Sequence, residues 1–141
     1  MATFLFKTEP DCYSWASLVR DKRAVWDGIA NNTALLHLRT ARKGDEAFIY
    51  HTGDERAIVG LAEILSGPYE DPQQPGLTAK GEPKFAVVDV RPGRAAKTPV
   101  SLAAVKADPR FRDFTLVTQA RLGVMPVPAE LDRVLRGMAG L

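Results

Sequence analysis

The sequence predicts an α+β fold built on a small sheet able to close as a barrel. Three observations carry that expectation. Short apolar runs with strand character recur along the chain, at 4–6, 47–51, 57–65, 85–90 and 122–127. Short segments with helical spacing lie between them, several preceded by a residue suited to cap a helix. There is no internal repeat and no low-complexity tract, so a mixed single core is the simplest architecture.

In order, Phe4-Leu5-Phe6 reads as a buried strand that stops at Pro10, and Asp11 begins a turn. Ser14 suits the cap of a helix carrying Ala16, Leu18 and Val19. Trp26-Asp27-Gly28 reads as a turn-like break. Asn31 or Asn32 then caps a second helix with Leu35, Leu36 and Leu38. Lys43-Gly44-Asp45 turns the chain into the strand 47–51, and the polar 52–56 connects it to a returning strand as a hairpin. Residues 66–83 hold four prolines and three glycines and read as a surface loop. A strand over 85–90 follows. Ser101 caps a short helix over 102–106, and Phe111, Phe114 and Leu116 anchor an irregular segment. After a last strand, Pro128 suits the start of a helix whose Leu131, Val134, Leu135 and Met138 share a face.

The 141 residues are expected to form one domain over 1–141, with 45% hydrophobic and 26% charged residues and a net charge of +2. Charges of both signs are interspersed. A partner held by many phosphate contacts would call for a stronger basic stripe, so nucleic-acid binding through one captured nucleotide fits better than backbone tracking. The single cysteine, Cys12, rules out an internal disulfide and points to a reduced, cytoplasmic setting. No apolar run reaches the length of a membrane span. Two histidines and one cysteine without ligand spacing give no metal site, and no cofactor motif is present.

The residues most suggestive of chemistry are Trp26-Asp27-Gly28 together with Tyr50-His51-Thr52-Gly53. Trp26 and Tyr50 offer flat faces for a planar ring, and Asp27, Asn31, Asn32, His51 and Thr52 offer short polar groups for its edge. Tyr50 and His51 are neighbours on one strand, so they point to opposite faces unless a bulge or strand end re-aims one of them.

Eight stretches, in this order, resemble the EVE domain family of the PUA-like superfamily, the group of the thymocyte nuclear proteins. They are Phe6-Lys7-Thr8-Glu9-Pro10, Tyr13-Ser14, Trp26-Asp27-Gly28-Ile29, Lys43-Gly44-Asp45, Tyr50-His51-Thr52, 58–63, 88–90 and 121–127. The resemblance implies a PUA-like mixed β pseudo-barrel flanked by short helices. It also implies a pocket for a modified base, of cytosine type, extruded from nucleic acid. Two positions depart from the family pattern. Ala30 stands where an arginine is usual after Trp-Asp-Gly, weakening any clamp there. Gly123 stands where a serine is usual, which removes a hydroxyl or leaves room for a larger ligand.

Together these readings give a binding domain with Trp26 and Tyr50 as stacking walls. Asn31, Thr52 and His51 read the ring edge, Thr8, Glu9 and Met125 close the floor or side, and Lys7 and Arg121 approach phosphate. The expected partner is a modified base in DNA or RNA, or a free nucleoside, with no membrane and no assigned catalytic residue. Two other classes remain open. A small amidohydrolase acting on a modified cytidine would use a Lys7–Thr8–Glu9 set, although strand alternation puts Thr8 opposite the other two. A protein-interaction module would instead present apolar patches to a partner.

Overall fold

A computed structural model describes residues 1–141, in which seven strands form one curled mixed sheet. The strands are β1 (Thr3–Thr8), β2 (Ala24–Trp26), β3 (Glu46–His51), β4 (Ala57–Ile64), β5 (Tyr69–Glu70), β6 (Ala86–Ser101) and β7 (Val124–Pro126). Their spatial order is β2-β6-β4-β3-β1-β7, with β5 paired to β6. Only β1 and β3 run parallel; the other pairs are antiparallel. The helices are α1 (Trp15–Asp21), α2 (Asn32–Leu38), α3 (Leu102–Ala107), α4 (Thr115–Thr118) and α5 (Ala129–Ala139). None is long and apolar enough to cross a membrane.

The sheet curls because its inner face is aromatic and aliphatic and has to be covered. Phe6 on β1 and Trp26 on β2 lie far apart in strand order, yet their rings stack at 5.5 Å and 27°. That contact is possible only if the two ends of the sheet approach one another. Phe4, Phe48, Ile49, Ile58, Ile64, Val88 and Val90 fill the core with them.

Local chemistry fixes the helices where the sequence suggests them. Ser14 accepts from the Ser17 amide, Asn31 from Ala34 and Ser101 from Ala104. Gly44 takes a left-handed conformation, φ +95°, and the buried Asp45 accepts from the amides of Ala2 and Arg42 at 3.0 and 2.8 Å. The turn before β3 is thereby tied to the N-terminus.

Several expectations change: Trp26, read as part of a turn-like break, ends the strand β2, and the segment read as irregular includes the helix α4. The strand expected over 85–90 continues to Ser101, because β4 pairs with it from Val90 onward, with a register shift that skips Gly93 between Pro92 and Arg94. A Cβ at Gly93 would lie 2.5 Å from the Leu61 carbonyl oxygen, so that close strand approach depends on glycine. The loop over 66–83 also carries β5 and a small bridge between Leu77 and Pro83.

Gly60 on β4 gives Trp15 its seat: a Cβ there would meet the indole at 2.7 Å. Gly60→Ala is expected to lower the unfolding free energy by about 1–3 kcal/mol through overpacking. Urea denaturation followed by circular dichroism measures it.

Candidate functional site

The first strand ends in a turn that brings two distant side chains together. The amides of Cys12 and Tyr13 both donate to the Glu9 carbonyl at 2.9 Å, and the Thr8 hydroxyl donates to the Tyr13 carbonyl at 2.7 Å. Across the barrel, β2 ends at Trp26, and Gly28 at φ +77° turns the chain away. Between these strand ends lies a cleft of about 560 Å³. Its polar and aromatic lining is Lys7, Thr8, Glu9, Tyr13, Trp26 and Asp27, with Cys12, Ala24, Val25, Gly28 and Ile29 completing it.

Trp26 forms the back of the cleft. Only 6% of it is exposed; Phe6 stacks on it, and Tyr13 meets it edge-on at 6.4 Å and 77°. The Tyr13 hydroxyl donates to Asp21 at 3.0 Å. Burial, with the bond to Asp21 and its charge adding to it, pushes the Tyr13 phenol up to about 12. It is therefore a neutral ring at any physiological pH. Glu9 is positioned from β3: the Thr52 hydroxyl donates to Glu9 Oε2 at 3.0 Å. Gly53, at φ +76°, lets Glu9 Oε1 approach to 3.1 Å of where a Cβ would stand. The cleft thus combines two aromatic rings, two carboxylates and a hydroxyl.

Tyr50 does not join Trp26. On β1, Phe6 and Thr8 face the barrel interior, whereas Lys7 faces outward with Tyr50, its register partner on β3. The expected sandwich of a ring between Trp26 and Tyr50 is therefore not formed: Tyr50 lies on the other face of the sheet, and the ring that meets Trp26 at the cleft is Tyr13, edge-on. Tyr50 and Thr52 instead line a second hollow of about 260 Å³ on the outer side of β1 and β3. The Lys7 ammonium lies 5.6 Å over the Tyr50 ring and donates to the Ala120 carbonyl at 2.8 Å, and burial lowers its pKa. Lys7 lines both spaces.

The remaining expected site residues fall elsewhere. His51 is buried; its Nε2 accepts from the Trp15 amide at 3.0 Å and its Nδ1 bonds Glu55 at 2.8 Å. Both ring nitrogens are used in joining β3 to α1 and the following turn, so His51 supports the structure and lines neither space. Met125 is fully buried beside Leu5, facing the core from β7, and also lines neither. Asn31 is spent on capping α2 and shares a shallow third hollow with Arg121. Lys7, Thr8 and Glu9 of the alternative amidohydrolase set all line the cleft, with Lys7 Nζ donating to the Ala120 carbonyl, the Thr8 hydroxyl to the Tyr13 carbonyl and Glu9 accepting from Thr52.

Sequence reasoning missed Tyr13 and Cys12 as cleft-lining residues, whereas Asp27, read from the sequence as a polar group for a ring edge, does line the cleft. Tyr13 had a signal too: Pro10 stops β1, and a turn of this length brings the chain back over the strand end.

The family follows from comparison with known proteins. The EVE domain model matches residues 2–137. The chain belongs to the EVE domain family. This EVE domain is similar to the NMR structure of Rpa0253 from Rhodopseudomonas palustris, with 42% identity, a TM-score of 0.88, and 99% of this chain and 94% of that one covered. It is similar to human THYN1, solved in complex with DNA containing 5-methylcytosine, at 28% identity and a TM-score of 0.85 over 98% of each chain. Thymocyte nuclear protein 1 of Danio rerio is 35% identical over 124 residues, 74% of this chain and 53% of that protein. The chain spans about half the length of the curated relatives it matches. The architecture of this EVE domain is the PUA-like mixed pseudo-barrel with flanking short helices.

Proposed function

We propose that this EVE domain captures a single modified cytosine-type base, extruded from DNA, in the cleft between the ends of β1 and β2. The observation that carries the reading is the pairing, in one cleft of about 560 Å³, of Trp26 and Tyr13 with the carboxylates of Glu9 and Asp27. That volume has room for a base together with part of its nucleotide, and the lining suits a flat ring with an amino edge. The relative solved with 5-methylcytosine-containing DNA supports the choice of ligand.

Cytosine presents an exocyclic amino group as donor, and a carboxylate is a fitting acceptor for it. Thymine presents a carbonyl oxygen at the same place and would meet like charge. Stacking on an aromatic side chain contributes about 1–3 kcal/mol, comparable with the few kcal/mol needed to unstack the base. A methyl group on the ring adds about 0.8 kcal/mol through apolar contact, a few-fold in affinity. Ala24, Val25 and Ile29 give the cleft its aliphatic surface for that contact. No catalytic step belongs to this reading. Exposed Cys12 at the cleft suits a reducing, cytoplasmic setting.

The test is a titration of single-tryptophan fluorescence. Trp15 sits over Gly60, away from the cleft, so Trp15→Phe leaves Trp26 as the sole reporter. Short oligonucleotides carrying 5-methylcytosine are expected to quench it and to bind a few-fold tighter than those with cytosine, and thymine is expected to be weakest. RNA of the same sequence and the free nucleoside complete the series. Equal affinity for all bases, or no quenching by any, would contradict the proposal.

A further inference from the structure

We infer that the second hollow, between β3, the turn into β4, α3 and α4, is an anion site that takes the phosphodiester next to the captured base. This deepens the base-capture reading, since Lys7 is the wall shared by the two spaces. The hollow is lined by Lys7, Arg56 and Lys106, by Tyr50 and Thr52, and by aliphatic Leu102, Leu116 and Val117; no carboxylate lines it.

None of its three cations is paired with a carboxylate. Lys7 is half-buried and has only a backbone carbonyl and a ring for company. Arg56 and Lys106 make no ion pair or side-chain hydrogen bond, even though Asp54 and Glu55 border the adjoining depression, where Glu55 is engaged by His51. Tyr50 is only 3% exposed, yet its hydroxyl makes no hydrogen bond within the protein and is not sealed from solvent, so it opens onto the hollow. Burial raises the Tyr50 phenol, against a smaller opposing effect of Arg56, which keeps it a proton donor. The Leu102 amide donates to the Arg56 carbonyl at 2.8 Å, fixing the start of α3 against the turn that carries the second cation.

Three like charges gathered around an apolar-walled hollow repel one another in the empty protein. A phosphate oxygen arriving there would meet two exposed cations, a half-buried ammonium and a phenol donor, a charge-assisted set. Thr52 joins the two spaces: it lines the hollow while its hydroxyl holds Glu9 in the cleft. A nucleotide whose base enters the cleft would therefore reach the hollow with its backbone across Lys7.

The experiment compares the wild type with the Arg56→Gln/Lys106→Gln double variant and with Tyr50→Phe. The probes are an abasic oligonucleotide, inorganic phosphate and a 5-methylcytosine oligonucleotide, followed by amide chemical shifts and by the salt dependence of binding. In the wild type the abasic strand is expected to shift the amides of Tyr50, Arg56 and Lys106. The double variant is expected to lose those shifts and to flatten the log–log salt slope of single-strand binding by about 0.7, the share of one phosphate. Tyr50→Phe is expected to weaken abasic-strand binding without changing the slope. If the full oligonucleotide perturbs Trp26 and Tyr13 but the double variant keeps the wild-type slope, the anion site is overturned and base capture stands. If the abasic strand shifts the hollow while the full oligonucleotide never perturbs the cleft, the anion site stands and base capture fails. Saturation by inorganic phosphate with no response to either strand would overturn the phosphodiester assignment.

Discussion

Trp26→Ala is expected to lower the unfolding free energy by about 3–5 kcal/mol, the range for emptying a buried aromatic position. Trp26 is one of the core side chains, stacked on Phe6 and sealed by Tyr13. Its removal opens the closure between β1 and β2, which holds the barrel together at the cleft. Loss of ligand binding by this variant would thus report folding as much as recognition. Trp26→Phe keeps a ring against Phe6 and is expected to recover more than half of the lost stability. Urea melts of the two variants beside the wild type measure both quantities, and a melt of Trp26→Ala within about 1 kcal/mol of wild type would show that the ring is not part of the core.

A bulky disulfide-linked adduct on Cys12 is expected to weaken binding of a 5-methylcytosine oligonucleotide by at least about tenfold, near 1.4 kcal/mol. Cys12 is exposed and lines the cleft without bonding to anything inside the protein through its side chain. An adduct there fills the space a base needs, and the fold is not asked to rearrange. Reduction should restore affinity, which separates occlusion from damage. The comparison is one of affinity before modification, after it and after reduction, with the circular dichroism spectrum unchanged throughout.

Much of the fold was legible because its signals are local. Ser14, Asn31 and Ser101 cap the helices that follow them, and Gly44 and Asp45 make the turn before β3. β6 was read short because Pro92 and Gly93 look like a stop in one dimension. Pairing with β4 overrides that local preference, and pairing is a property of two distant segments.

The site was legible in part for the same reason. Trp26, Thr8, Glu9 and Lys7 sit at strand ends that meet, so each was recognisable from its own neighbourhood. Which ring would face Trp26 depended on how the sheet closes. The parallel pairing of β1 with β3 puts Tyr50 beside Lys7 on the outer face, and the turn after Glu9 delivers Tyr13 in its place. His51 looked functional because histidine often is. Its use by the Trp15 amide and Glu55 depends on where α1 comes to rest.

The most direct measurement is the rate at which Cys12 is alkylated, with and without ligand. The reagent is small and neutral, and the ligands are a 5-methylcytosine oligonucleotide and an abasic strand of the same length. A base seated in the cleft beside Trp26 and Tyr13 is expected to slow the reaction in proportion to occupancy, and the abasic strand is expected to leave it nearly unchanged. An alkylation rate that stays constant while the 5-methylcytosine oligonucleotide is bound to saturation would place the base outside the cleft and contradict the account.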